Sequence, residues 1–254
     1  MTNLQGKVGL VLGIANQNSI AYGCARAFRE AGAELAITYL SAKAEPYVRP
    51  LAEALDSPLI LPCDVRDPGA LEAVYDAIRD RWGRLDFVLH SIAYAPKDDL
   101  HGRVVDCSQA GFAEAMDVSV HSFVRMARLA EPLMTRGGCF LSMSYYGAEK
   151  VVGHYNLMGP VKAALEATAR AMAAELGASG IRVNALSPGP LRTRAASGID
   201  HFDALIEQAA ARAPEHRLVS IDDVGAMAAF LVSDAAASVT GDTIHIDAGY
   251  HIMG

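Results

Sequence analysis

The chain has 254 residues, 52% of them apolar and 20% charged, with a formal net charge of −7. That size supplies one sizeable core, no apolar run approaches the roughly 20 residues that span a membrane, and the acidic balance argues against nucleic acid as a partner. The four cysteines, Cys24, Cys63, Cys107 and Cys139, form no CxxC or metal-ligand cluster; with a polar start that reads as no signal peptide, they point to a cytoplasmic protein without a metal. In chain order, near-continuous apolar runs at Val8–Leu12, Glu34–Tyr39, 59–61, 85–92, 139–142, 181–186 and Thr243–Ile246 read as strands buried on both faces. Between them, amphipathic stretches at 19–30, 47–55, 68–82, 109–133, 155–176, 203–211 and 221–231 read as helices. Asp67 before Pro68, and Ser220 ahead of Asp222 and Asp223, are candidate caps, while Gly32, Gly83 and Gly177 stand where helices should stop. Regular alternation of strand and helix predicts a single α/β domain over 1–254: a doubly wound parallel sheet of about seven strands with helices on both faces. Ligands of such folds bind beyond the carboxyl ends of the strands, which directs attention to the loops that follow them.

The loop after the first strand runs Gly13-Ile-Ala-Asn-Gln-Asn-Ser19-Ile20-Ala21. A dinucleotide site needs a tight turn here and helix N-terminal N–H groups facing the pyrophosphate. Gly13 supplies the turn, and Ser19 and Ile20 open the helix, although Gln17 and Ser19 stand where further glycines are usual. The second strand ends in Tyr39-Leu40-Ser41-Ala42-Lys43, with neither an acid for a ribose 2′-hydroxyl nor an Arg for a 2′-phosphate. That absence favours NADH, and Lys43 leaves NADPH open. Asp64-Val65, after the third strand, offers a carboxylate to an adenine amino group. The most telling pattern is Tyr145, then Tyr155, then Lys162. On a helix, residues 155 and 162 would share a face about two turns apart, and the lysine would lean back toward the phenol. A phenol beside a cation suits a site where negative charge develops on a carbonyl oxygen.

These residues, together with His90-Ser-Ile-Ala-Tyr-Ala95 and the run from Arg182-Val-Asn-Ala to Gly189-Pro-Leu-Arg-Thr193, resemble the short-chain dehydrogenase/reductase superfamily, whose domain is Rossmann-like. Within it they resemble the NADH-dependent enoyl-[acyl-carrier-protein] reductases of bacterial fatty acid synthesis, over about residues 4–250. Tyr-x6-Lys with a second Tyr ten residues upstream marks that branch; ordinary members use Tyr-x3-Lys, and here the position four before Lys162 is Met158. The resemblance implies that Tyr155 hydrogen-bonds the thioester carbonyl and stabilises an enolate, that Lys162 holds the nicotinamide ribose, and that Tyr145 lines the acyl pocket. It assigns cofactor contacts to Gly13, Ser19, Ile20, Asp64, Val65, Ile92, Lys162, Leu191, Arg192, Thr193, Arg194 and Ala195, and a substrate contact to Ala95. It also implies a substrate-binding flap at about 190–213 and a homotetramer.

Asp200 and Asp203 stand where related reductases carry basic residues to meet an acidic carrier protein, so acyl carrier protein and CoA both remain open as the carrier of the enoyl thioester. Two other readings stay in play: a carbonyl-reducing short-chain dehydrogenase, and a non-catalytic nucleotide-sensing Rossmann protein. Oxidation of NADH by an enoyl thioester separates them. His90 is read as a strand-end residue shaping the cofactor pocket, and Met143 and Met158 as core or pocket wall.

Overall fold

The computed structural model describes residues 2–193 and 202–253. Seven strands form one sheet in the order β3-β2-β1-β4-β5-β6-β7: β1 (Val8–Leu12), β2 (Glu34–Tyr39), β3 (Leu59–Pro62), β4 (Phe87–His90), β5 (Gly138–Met143), β6 (Ile181–Pro188) and β7 (Thr243–Ile246). Every neighbouring pair is parallel. The apolar runs follow from this: a parallel sheet covered on both faces has no side to leave polar. In β1, Leu10 and Leu12 enter one core while Val11 enters the other.

The first core is closed by α3 (Ala70–Trp82), α5 (Gln109–Met116), α6 (Ser122–Ala130) and α7 (Met158–Leu176). The opposite core is closed by α1 (Ile20–Glu30), α2 (Glu45–Glu53) and α9 (Ile221–Val232). A short α4 (Lys97–His101) follows β4, and α8 (Phe202–Arg212) precedes α9. Helices α1 and α9 approach so closely that a Cβ on Gly225 would lie 2.5 Å from the Gly23 carbonyl oxygen. Ser220 caps α9 as expected: its hydroxyl accepts from the Asp223 N–H at 3.1 Å, and the Asp223 carboxylate accepts from the Ser220 N–H at 2.8 Å.

Three local expectations are corrected. Helix α3 is preceded by Gly69 in the left-handed region (φ 81°), so Asp67 does not cap it. The stretch 109–133 is not one α-helix, because a π-helical segment, Asp117–His121, joins α5 to α6. Most important, α7 begins at Met158, so Tyr155 precedes the helix. Positive φ at His154 (62°) and Asn156 (40°) breaks the chain there, and Pro160, which lacks an N–H, fits the first turn of the helix that follows.

Candidate active site

The strand order reverses between β1 and β4, and the loops leaving the two strands part there to open a crevice. A cavity of about 560 Å³ lies along it, from the end of β3 to the segment after β6. Gly13, Ile20, Asp64, Val65, Ile92, Ala95, Tyr145, Tyr155, Lys162, Leu191 and Thr193 all line this one space. Residues spread over most of the chain are thereby brought to one site.

The nucleotide half is set by the loop between β1 and α1. Gly13 has φ 109°, and a Cβ there would lie 2.0 Å from the Ser91 carbonyl oxygen, so only glycine fits. Ser19 does not line the cavity. Its hydroxyl turns back to accept from the Ala15 and Asn16 N–H groups, both at 3.0 Å, and makes no cap to α1. Ser19 therefore shapes the loop, and the first N–H groups of α1 keep their donors for an anion. At the end of β3, Arg66 holds the Asp64 carboxylate through contacts at 2.6 and 3.0 Å, which lowers the Asp64 pKa. The Arg66 guanidinium also lies 5.4 Å from the Tyr94 ring centre and 3.3 Å from Glu114. Beyond β2, exposed Leu40 lines the cavity, and Arg66 and Lys162 are the cations among its described lining residues. The arrangement fits a dinucleotide: a backbone cradle at Gly13, helix donors for a pyrophosphate, and an acid near the adenine position.

The reacting half lies where β5 and α7 meet. Tyr145 and Tyr155 pack edge to face, with ring centres 4.9 Å apart and planes at 66°. The Tyr145 hydroxyl is buried without a hydrogen-bond partner. Burial is the leading cause that raises both phenol pKa values, so each hydroxyl keeps its proton and is available as a donor. Lys162 is buried, and its Nζ donates to the Met143 carbonyl at 2.5 Å. Desolvation pulls the Lys162 pKa down to about 8, and the neighbouring Glu166 carboxylate opposes that fall. The expected contact between the ammonium and the Tyr155 hydroxyl is thus replaced by a contact to the β5 backbone, because Tyr155 is not on the helical face of Lys162. The two act on the cavity side by side. Met158 and Met143 form part of its wall.

His90 does not shape the pocket directly. It is fully buried beneath it, with Nε2 2.8 Å from the Ser122 hydroxyl, and burial lowers its pKa to about 3. Since the Ser122 hydroxyl donates to the Val118 carbonyl, the His90 ring donates from Nε2. Arg192 is exposed and does not line the cavity. Arg194, Ala195 and Asp200 lie outside the described residues, as does part of the 190–213 flap. Sequence reasoning missed Arg66, whose place two residues after Asp64 was the available signal. It also missed Leu40 as cavity wall, and Glu166, one turn beyond Lys162.

The family model for enoyl-(acyl carrier protein) reductase matches residues 13–251. The chain is 47% identical over 251 residues to enoyl-[acyl-carrier-protein] reductase [NADH] 1 of Rhizobium meliloti (strain 1021), covering 99% of this chain and 92% of that protein. A solved enoyl-(acyl-carrier-protein) reductase from Anaplasma phagocytophilum in complex with NAD is 47% identical, with a TM-score of 0.95 over 99% of this chain and 96% of that one. The Bacillus cereus enoyl-acyl carrier protein reductase, solved with NADP+ and indole naphthyridinone, is 46% identical, with a TM-score of 0.97 over 100% of both chains. With its parallel sheet, its nucleotide crevice and its paired tyrosines beside Lys162, the chain belongs to the enoyl-(acyl carrier protein) reductase family.

Proposed function

We propose that this chain is an NADH-dependent enoyl-[acyl-carrier-protein] reductase of fatty acid synthesis, which saturates the 2,3 double bond of a trans-2-enoyl thioester. The observation that carries the reading is that Tyr145, Tyr155 and Lys162 share one cavity with the Gly13 loop and Asp64-Val65. Bound NADH supplies the hydride. The chain's own part is to hold and polarise the substrate. Hydride addition at the β-carbon sends the double-bond electrons onto the carbonyl oxygen, giving an enolate of the substrate, and a proton then completes the α-carbon. Tyr155 donates its hydroxyl to that oxygen, where a preorganised donor in a buried site counts most. Lys162 holds the nicotinamide ribose hydroxyls and adds positive potential. Tyr145 orients the acyl group, and its unpartnered buried hydroxyl supports a substrate contact there. Gly13, Ile20, Asp64, Val65, Ile92, Leu191 and Thr193 line the cofactor, and Ala95 meets the substrate; Ser19 serves by shaping the loop.

Met158 disfavours the carbonyl-reducing alternative, because it fills the position from which such enzymes present their tyrosine. NADH is favoured over NADPH because no Arg or Lys of the loop after β2 lines the described cavity, where exposed Leu40 stands. The whole chain acts as one catalytic domain. The reading extends, by the resemblance to this family, to a cytoplasmic homotetramer; no helix of the described residues is long and apolar enough to cross a membrane. Absorbance at 340 nm, with NADH or NADPH and with enoyl groups on acyl carrier protein or CoA, tests the reading. Oxidation of NADH by an enoyl thioester is expected. Binding of NADH without oxidation, or reduction of 3-oxoacyl thioesters alone, would contradict it.

A further inference from the structure

Met143, Ser144 and Tyr145 leave the carboxyl end of β5 in succession, and α7 grips the first two from consecutive turns. Lys162 Nζ donates to the Met143 carbonyl at 2.5 Å, and the Ser144 hydroxyl donates to Glu166 Oε1. From the other side, the Ser144 N–H donates to the Leu186 carbonyl of β6 at 2.7 Å. Ser144, Lys162 and Glu166 are 5%, 5% and 7% exposed, so this clamp is buried at the wall of the cavity that Ser144 and Lys162 line. Residues 162 and 166 are four apart and share a helix face. A carboxylate buried this deeply is costly unless a nearby charge and hydrogen bonds compensate it. The Ser144 hydroxyl is the hydrogen-bond donor that the structure gives it, and nothing in the proposed chemistry uses it directly.

We propose that Glu166 is a positioning residue of the reductase site: it fixes Ser144, and so the approach of Tyr145, and sets a negative charge beside the Lys162 ammonium. The proposal rests on the reductase reading given above. The electrostatics agree with the geometry. Burial works against the charged form of Lys162, and Glu166 restores it. Glu166 itself is pushed toward its neutral form by burial and by Glu149, and toward its charged form by Ser144, Arg170 and His245. The neighbour facing Lys162 from β4 is His90, held neutral by burial and by the lysine. Tyr155 also feels the Glu166 charge, after burial and Tyr145.

The test uses the full chain with NADH and an enoyl thioester, comparing wild type, Glu166→Gln and Ser144→Ala across pH 6–10. The glutamine oxygen still accepts from Ser144, so Glu166→Gln removes charge while keeping the clamp. Its basic limb of kcat/KM is expected to move down by about one pH unit, giving up to a ~10-fold deficit on that limb that closes at acid pH. Ser144→Ala keeps the charge and releases the clamp, so it should lower kcat by a similar factor at every pH and leave the basic limb in place. A basic limb unmoved in folded Glu166→Gln overturns the proposal. If that variant fails to fold, Ser144→Ala decides: reduced kcat with the basic limb unmoved supports the positioning role, and wild-type kcat overturns it. A wild type inactive with every enoyl thioester overturns the reductase reading and this proposal with it.

Discussion

Replacing Tyr155 by phenylalanine removes one hydroxyl and little else. The edge-to-face pair with Tyr145, at 4.9 Å between ring centres, survives in the variant, so packing is retained. Lys162 is anchored to the Met143 carbonyl and not to Tyr155, so its ammonium keeps its place. What is lost is one preorganised donor to the enolate oxygen, which is worth about 2.7–4 kcal/mol, or 10²–10³ in kcat. The KM for NADH should change by less than about twofold, since the interaction is made with the reacting oxygen only. Tyr145→Phe is the control. Its ring keeps the same edge-to-face contact, so this variant isolates the loss of the second hydroxyl. Steady-state rates of both variants at 340 nm provide the readout. Tyr155→Phe with kcat within about threefold of wild type would refute the assignment, and a 10²-fold loss in Tyr145→Phe alone would transfer the donor role to Tyr145.

Lys162→Ala is expected to weaken NADH binding and abolish turnover, and fluorescence titration showing wild-type affinity would remove its ribose-holding role. Leu40→Arg should give NADPH a gain of about 10-fold or more in kcat/KM, the scale of one charge-assisted contact, while NADH use changes little; an unchanged NADPH/NADH ratio would place the 2′-phosphate elsewhere. His90, with a folded pKa of about 3 against an unfolded value near 6.5, binds fewer protons folded than unfolded between those values. Its contribution to stability is complete above about pH 6.5 and is lost as the pH falls toward 3, by up to ~1.4 kcal/mol per pH unit. Urea unfolding of His90→Gln should show a correspondingly flatter acid dependence than wild type, and an identical slope would sink the argument.

The sheet was legible because parallel strands covered on both faces must be apolar throughout, and β1, β2 and β7 fall on the bounds read from such runs. Gly13 was legible for a related reason: a left-handed turn after the first strand admits little else. Tyr155 was placed on a helix because the apolar pattern runs unbroken through 155–176, whereas positive φ at His154 and Asn156 starts the helix at Met158. His and Asn are residue types that adopt positive φ more readily than most, but the apolar pattern alone does not register it. Ser19 carries the right residue type for a cap, yet its hydroxyl turns toward Ala15 and Asn16. The π-helical segment Asp117–His121 contains no glycine or proline and runs on without a break from α5 into α6, so no breaker residue marks it. Glu166 was visible as a neighbour of Lys162, but its partner, Ser144, comes from another element, and only the fold brings the two together.

The central claim is tested most directly by following the transferred hydrogen. NADH deuterated at the transferring position, incubated with the chain and a trans-2-enoyl thioester, should yield a saturated thioester carrying deuterium on the β-carbon, read by mass spectrometry and NMR. Deuterium on a carbinol carbon, or NADH that binds and is never oxidised, would contradict the account.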